Sequence, residues 1–170
     1  MKKDNWIIKA FLMTFFIALI FSAISNVIVN GCNNFVILII LCLVFILIGI
    51  FFDIIGTAVL TANEASFHAK SSKKIKGSKE GVYLVKNSSI CSDVIGDICG
   101  IVSGSVAAML SILVSNKTNF SLVIVTLLIS SLVSSLTVGG KAIGKKFAIR
   151  NSDNIIFMVA KVMYKFKFKK

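Results

Sequence analysis

The sequence contains no proline and carries little charge. Without proline, a kink in a helix must come from glycine, serine or a helix end. Charged residues make up 15% of the 170 residues, against about 25% in soluble domains. No lysine or arginine occurs between Ala10 and Ala69, and none occurs between Asn87 and Asn116. These absences exclude an ordinary soluble fold, because a soluble surface needs charged side chains on most of its elements.

Cysteine and histidine are also scarce. The four cysteines, Cys32, Cys42, Cys91 and Cys99, form no CxxC pair, and His68 is the only histidine. A structural zinc site needs closely spaced ligands of these types. No nucleophile–base pattern accompanies His68, which we interpret as an interfacial residue. We therefore expect neither a zinc site nor an enzyme.

Four long apolar segments fill most of the chain, which is 56% hydrophobic and has a mean hydropathy of +0.93. They comprise residues 10–29, 35–60, 94–115 and 120–139. Each is close to the roughly 20 residues that a helix needs to cross a bilayer. The first exceeds the roughly 7–15 apolar residues of a signal peptide, so we expect it to be retained. The sequence predicts an all-α integral membrane protein with four transmembrane helices.

The basic residues predict the orientation of these helices. With four spans, all 19 lysines and arginines except Lys117 lie on one side of the membrane, together with both termini. The positive-inside rule places that side in the cytoplasm and the protein in the cell membrane. The connector 68–93 and the C-terminal tail mix apolar and basic residues, which predicts amphipathic interfacial helices. We interpret the net charge of +12 as topology and attraction to the lipid bilayer, with no nucleic-acid partner.

A few ionisable residues lie inside or next to the apolar segments. Asp53 lies within the second segment, Asp97 near the start of the third, and Lys141 after the fourth. Ionisable groups are expensive in a bilayer and often mark an ion pathway. Oxygen atoms are the ligands that Mg²⁺ prefers. The available donors are Thr61, Asn63, Glu64, Asp97 and the serines of the fourth segment, including Ser134. Alternatively, Asp97 and Glu64 are only capping or packing residues, which composition by itself favours.

Small residues in the last two apolar segments predict close helix contacts. Gly96, Gly100 and Gly104 form two overlapping GxxxG spacings, which let helix backbones approach each other. The fourth segment carries serines at positions 130, 131, 134 and 135. A helix so rich in hydroxyl groups either packs tightly, which we favour, or lines a polar path.

Three motifs occur in an order that resembles a known family. They are TANEASFHAKSSKK at residues 61–74, VIGDICG at residues 94–100 and GKAIGKKFAIRNSDNIIFMVAKVMY at residues 140–164. Their order, and their positions relative to the apolar segments, are similar to those in the transmembrane domain of the CorC/CorB and cyclin M (CNNM) family of divalent-cation transporters. The resemblance covers about residues 40–165.

The resemblance implies a cation-transporting core, here residues 35–170, that forms a homodimer and handles Mg²⁺ or Co²⁺. Residues 1–34 are then an additional transmembrane helix with its outer turn. The metal-binding residues expected from the resemblance are Thr61, Asn63 and Asp97, and Ser134 is added as a hydroxyl ligand from the fourth segment. Glu64 and Gly140 adjoin these positions in the motifs and are expected to modulate the site.

Two departures from the family pattern bear on function. Lys141 stands where the family has a glutamate, and Gly144 stands where it has a proline. A lysine that points into the site repels Mg²⁺, unless it pairs with Asp97 or extends to the cytoplasm. Gly144 replaces a fixed kink with a flexible one. We also expect no CBS domains, so the resemblance does not imply a nucleotide-regulated gate.

The sequence therefore predicts a minimal divalent-cation transporter. The alternative is a non-transporting membrane subunit or scaffold with the same fold, whose ion site is blocked by Lys141. That alternative requires an unknown membrane partner.

Overall fold

The computed structural model describes residues 4–31, 34–63, 65, 67–68, 78–87 and 89–167. These residues form six α-helices and no strand. The helices are α1 (Asp4–Gly31), α2 (Phe35–Thr61), α3 (Ser78–Asn87), α4 (Ser89–Thr118), α5 (Leu122–Arg150) and α6 (Ser152–Lys167). The predicted all-α fold class is confirmed.

Four of these helices are long and apolar enough to cross a membrane. Their apolar parts are Phe11–Val29, Phe35–Thr61, Val94–Thr118 and Leu122–Arg150. The protein is therefore a multi-pass membrane protein, and the prediction of four membrane-spanning helices is confirmed. Helix α5 continues past Gly139, where the predicted apolar segment ends, to Arg150. It contains no proline, and two adjacent glycines do not by themselves end a helix.

Local hydrogen bonds define where several helices begin and end. Asn34 caps α2, since its Oδ1 accepts a hydrogen bond from the Val36 backbone N–H at 3.1 Å. Between α4 and α5, Asn119 has a φ of 57°, a left-handed conformation that asparagine tolerates better than most residues. The Ser115 hydroxyl donates to the Phe120 carbonyl at 2.8 Å and so closes this short turn.

The helices are divided between two compact units. Unit 1 comprises Met1–Gly49 and Val94–Gly140, and unit 2 comprises Ile50–Asp93 and Lys141–Lys170. Helices α2 and α5 each contribute their first part to unit 1 and their last part to unit 2. Helix α1 belongs to unit 1, whereas α3 and α6 belong to unit 2.

The core of unit 1 joins α1, α2 and α4. Its central buried residues are Phe45 of α2 with Ile98, Cys99 and Val102 of α4. The Phe21 ring of α1 lies 6.3 Å from the Phe45 ring, centroid to centroid, so the N-terminal helix is part of this core. Gly49 lets α2 and α4 approach each other, because a Cβ there would lie 3.2 Å from the Gly96 carbonyl oxygen.

The core of unit 2 forms where α3 and α6 pack near the ends of α2 and α5. Its buried residues are Ala58, Val59, Phe67, Leu84, Ala148, Ile156 and Ala160. Phe67 is fully buried, and a Cβ at Gly81 of α3 would come within 2.6 Å of its Cδ1 atom. Only glycine therefore fits at position 81 without displacing Phe67. The predicted amphipathic segments thus use part of their apolar surface to pack within the protein.

Candidate functional site

A buried carboxylate in α2 is the main candidate for a functional group. Asp53 is only 6% exposed, and its Oδ1 lies 3.7 Å from the ammonium nitrogen of Lys145 on α5. The other oxygen, Oδ2, has no hydrogen-bond partner among the residues that the structure describes. Both residues belong to unit 2. A carboxylate whose oxygens are incompletely paired is costly to bury, so its presence in an apolar helix calls for a functional explanation.

The ion pair with Lys145 offsets only part of the cost of burial. A charge-assisted N–H···O hydrogen bond is about 2.7–2.9 Å long, so the 3.7 Å separation gives attraction without such a bond. The attraction is about 4 kcal/mol at an effective dielectric constant near 20, against a penalty of several kcal/mol for each buried ion. Lys145 is 53% exposed, and solvent screening lowers the attraction further. Asp53 therefore retains the capacity to bind a further cation or hydrogen-bond donor.

A close approach of α2 and α5 brings these two charges together. Gly144 precedes Lys145 and is buried, and a Cβ there would lie 2.8 Å from Ile54 Cγ1 and 3.4 Å from Ile50 Cγ2. A larger residue would separate the helices or displace Ile54. Because α5 is helical on both sides of Gly144, its small size serves helix packing, a role beyond the flexible kink expected from the sequence.

A polar cleft of about 310 Å³ lies at the end of α2, also within unit 2. It is lined by Thr61, Asn63 and residues 150–154 at the junction of α5 and α6. The Asn63 backbone N–H donates to Asp153 Oδ1 at 3.0 Å, and Asn63 Oδ1 accepts from the Ala65 backbone N–H at 3.0 Å. The Thr61 hydroxyl donates to a carbonyl of its own helix. Two predicted oxygen donors thus lie in one cleft with Asp153, a carboxylate that the motifs did not single out.

The remaining predicted site residues are distributed over both units. Asp97 on α4 and Ser134 on α5 belong to unit 1, and both are exposed. Gly140 is half-buried in unit 1, and Lys141 is half-buried in unit 2. Glu64 lies outside the described residues. The pairing of Lys141 with Asp97 therefore stays a prediction.

The small and hydroxylic residues have roles that only partly follow the predicted pattern. A Cβ built on Gly100 or Gly104 would meet no atom within 4 Å, whereas Gly96 takes part in the contact with Gly49 described above. On α5, the exposed Ser130 and Ser135 donate hydrogen bonds to carbonyls of their own helix. Such hydroxyl groups need no neighbouring helix for their hydrogen bonds.

The described residues do not form a metal site rich in carboxylates at either candidate position. Among the described residues, no group of three histidine, cysteine, aspartate or glutamate side chains is placed to hold a metal ion. Within the described part of the chain, an ion bound near Asp53 or Asp153 would therefore have fewer than three such side chains as ligands and would need neutral oxygens as well. Hard cations accept such mixed oxygen ligands.

Comparison with known proteins adds no relative. No protein-family model matches the chain, and neither a curated protein nor a solved structure matches it significantly. The resemblance to the CorC/CorB and CNNM family therefore rests on the three motifs alone. The geometry adds the Asp53–Lys145 pair to them. A lone acid in an apolar segment does predict a cation on a neighbouring helix, and that signal could have directed attention to Lys145.

Proposed function

We propose that this protein carries divalent cations across a membrane, with Mg²⁺ or Co²⁺ as its cargo. The observation that carries the proposal is Asp53, a carboxylate that is buried in an apolar helix with one oxygen unpaired. Ionisable groups at such positions are rare and mark ion pathways. The motif resemblance to the CorC/CorB and CNNM family supports the same function and supplies the choice of cargo.

Lys145 gives Asp53 a replaceable counter-charge. The lysine is about half exposed and lies 3.7 Å from Asp53 Oδ1, and a long side chain of this kind can extend to solvent. A divalent cation at a similar distance would attract the carboxylate about twice as strongly as the ammonium does. A passing cation would therefore displace Lys145, and the ammonium would return when the cation leaves.

The polar cleft would receive the ion on one side of the membrane. Thr61 and Asn63 line it, and Asp153 supplies its carboxylate. In the topology that the basic residues predict, this cleft and both termini face the cytoplasm of the cell. Asp97 and Ser134 remain predicted ligands, and the same flux assay tests them.

The experiment is a flux measurement with purified protein in liposomes that contain a Mg²⁺-sensitive dye. The native chain should admit Mg²⁺, and Asp53→Asn should lose most of that flux, because the amide preserves the shape of the carboxylate but removes its charge. Lys145→Gln should change the flux, whereas the matched control Lys146→Gln, an exposed neighbour, should not. Native flux that survives Asp53→Asn would refute the role of Asp53, and unchanged flux in Asp97→Ala would remove Asp97 from the site.

A second function is favoured by a specific observation. Lys145 already supplies a counter-charge to Asp53, and Arg150 lines the polar cleft. A site with its own cations suits a non-transporting membrane subunit or scaffold that acts on another membrane protein. A silent native chain that gains flux in Lys145→Gln or Lys141→Glu would mean an ion site blocked by lysine. If all variants fold and none carries Mg²⁺, the subunit becomes the better description.

The homodimer implied by the motifs has a candidate contact on α4. A Cβ added to Gly100 or Gly104 would meet no atom within 4 Å. Ile101, which lies between them in the sequence, is 74% exposed. GxxxG spacings of this kind let two membrane helices pack closely. We therefore propose that a second copy packs on this face. Gly104→Ile should weaken dimers measured by single-molecule photobleaching in liposomes, while Gly139→Ile on α5 serves as the control.

A further inference from the structure

Helix α6 has a side that the core of unit 2 leaves uncovered. Its fully buried residues, Ile156 and Ala160, belong to that core. Met158 and Val162 are instead 70% and 51% exposed. Because an α-helix has 3.6 residues per turn, these two exposed residues lie on the side of α6 nearly opposite the two buried ones. The helix therefore carries a second apolar face in addition to the one used for folding.

Two exposed lysines share this side of the helix. Lys161 and Lys165 follow Met158 by three and seven residues, a spacing that places all three on one side of α6 together with Val162. The ammonium of Lys161 lies 4.5 Å from the centre of the Phe157 ring, a contact with a neutral group that leaves the positive charge in place. We call Met158, Lys161, Val162 and Lys165 the outer face of α6. On this face, apolar and basic side chains alternate along the helix.

The charge of unit 2 favours an anionic partner for the outer face. The unit contains 15 of the 19 basic residues and five of the seven acidic residues of the chain, so its net charge is +10 wherever the individual side chains point. One of those five acids, Asp53, is buried. The only acid in α6 is Asp153, which lies in its first turn, two turns before Lys161 and on the other side of the helix.

The position of α6 in the chain makes the membrane the source of that partner. The membrane-spanning part of α5 ends at Arg150, and α6 begins at Ser152, so α6 starts at the boundary of the bilayer. A helix at this boundary places its apolar side chains among the acyl chains and its lysines among the headgroups. An acidic soluble protein matches only the charge of the outer face, whereas an anionic lipid matches both its charge and its apolar side chains.

We infer that the outer face of α6 binds an anionic glycerophospholipid of the surrounding leaflet, of the phosphatidylglycerol class. The ammonium groups of Lys161 and Lys165 donate charge-assisted hydrogen bonds to the phosphate, and the acyl chains contact Met158 and Val162. Because the opposite side of α6 forms part of the core, the bound lipid also stabilises unit 2, as any ligand stabilises the folded state that it binds. The inference requires only a membrane protein and does not depend on cation transport.

The test is native mass spectrometry of the full-length protein in a neutral detergent. Phosphatidylglycerol and phosphatidylcholine with identical acyl chains are added in competition. We expect phosphatidylglycerol to be retained preferentially, and less so at higher salt, because salt screens the attraction. Lys161→Gln and Lys165→Gln should each lower the affinity for phosphatidylglycerol about fivefold, the size expected for one lysine at an anionic membrane surface. Lys161→Arg keeps the charge and should keep the preference. The control is Lys117→Gln, which removes an exposed lysine of unit 1 and should change nothing.

Further measurements separate the lipid from other occupants. Phosphatidylglycerol should raise the melting temperature of the native protein more than that of the variant that carries both Lys161→Gln and Lys165→Gln. Excess glycerol phosphate should not displace the lipid, because it has no acyl chains; displacement would assign the face to a soluble phosphate and overturn the inference. Equal retention of the two lipids, or a preference that survives both substitutions together, would also overturn it. Loss of the lipid in a dimer but not in the monomer would assign the face to a second copy instead.

Discussion

The contact between Gly144 and Ile54 makes a sharp prediction about stability. In Gly144→Ala, the new Cβ would lie 2.8 Å from Ile54 Cγ1 and 3.1 Å from Ile54 Cδ1. Overpacking of this kind costs about 1–3 kcal/mol. Alanine returns about 1 kcal/mol through its higher helix propensity. The net effect on the free energy of unfolding should therefore be a loss of up to about 2 kcal/mol.

Gly139 on the same helix provides the control. A Cβ there meets nothing within 4 Å. Gly139→Ala should therefore only raise the free energy of unfolding, through the higher helix propensity of alanine. Thermal unfolding of both purified variants in one detergent measures the difference, with about 2–4 °C expected for each kcal/mol in a chain of this size. Gly144→Ala should melt below the native protein, and Gly139→Ala should melt at or above it. If the two variants melt together, α2 and α5 do not approach each other at Gly144.

A double-mutant cycle identifies the clashing partner. Ile54→Ala alone leaves a cavity and should destabilise the protein. In the Gly144→Ala background the same change also removes the two close atoms, so its cost should be smaller. Coupled neighbours typically differ from additivity by about 0.5–3 kcal/mol. Additive melting shifts would mean that the alanine Cβ is accommodated by movement elsewhere in unit 2.

Three further predictions concern single residues. Phe67→Ala should lower the free energy of unfolding by about 3–5 kcal/mol. It should also speed amide hydrogen exchange in α3, because α3 packs on Phe67 at Gly81. Unchanged exchange would show that Phe67 does not hold α3 in place. Asn119→Val should lower the melting temperature by the cost of a left-handed β-branched residue, about 1–2 kcal/mol, while Asn119→Gly should not. Lys145→Met should lower the melting temperature in detergent, because it leaves the buried carboxylate of Asp53 without its counter-charge. Adding Asp53→Asn to this variant should restore the melting temperature. A further decrease in the double variant would show that the ion pair does not contribute to stability.

The membrane class was predictable because it depends on features that act locally. An apolar run without charge, such as residues 35–60, forms a helix in a bilayer whichever neighbours it has, because its backbone must satisfy its own hydrogen bonds. The packing of α3 and α6 on the ends of α2 and α5 was not predictable in the same way. A mixed apolar and basic segment fits the bilayer surface and a protein surface equally well. Only the burial of Phe67 and Ile156 shows that part of it packs within the protein.

The candidate site shows where motif reasoning stops. The motifs drew attention to Lys141, because it replaces an acid that the family pattern would place there. Lys145 is one helical turn further along α5, and the carboxylate it reaches, Asp53, lies in no motif. What brings them together is the missing side chain at Gly144, and a glycine in a sequence does not state which helix it lets approach.

This geometry also changes the meaning of the lysine-rich end of α5. Lys141 was expected to decide whether an ion site is open or blocked. In unit 2, however, a counter-charge for a buried acid is supplied by Lys145, whose side chain is half exposed and only 3.7 Å from Asp53. A counter-charge held by electrostatic attraction without a short hydrogen bond is more easily replaced by another cation. Comparing Lys141→Gln with Lys145→Gln in the same flux assay therefore separates the two residues. We expect the larger change in flux at position 145, because Lys145 is the lysine that lies close to Asp53. A larger change at position 141 would mean that the ion site is formed by the motif residues.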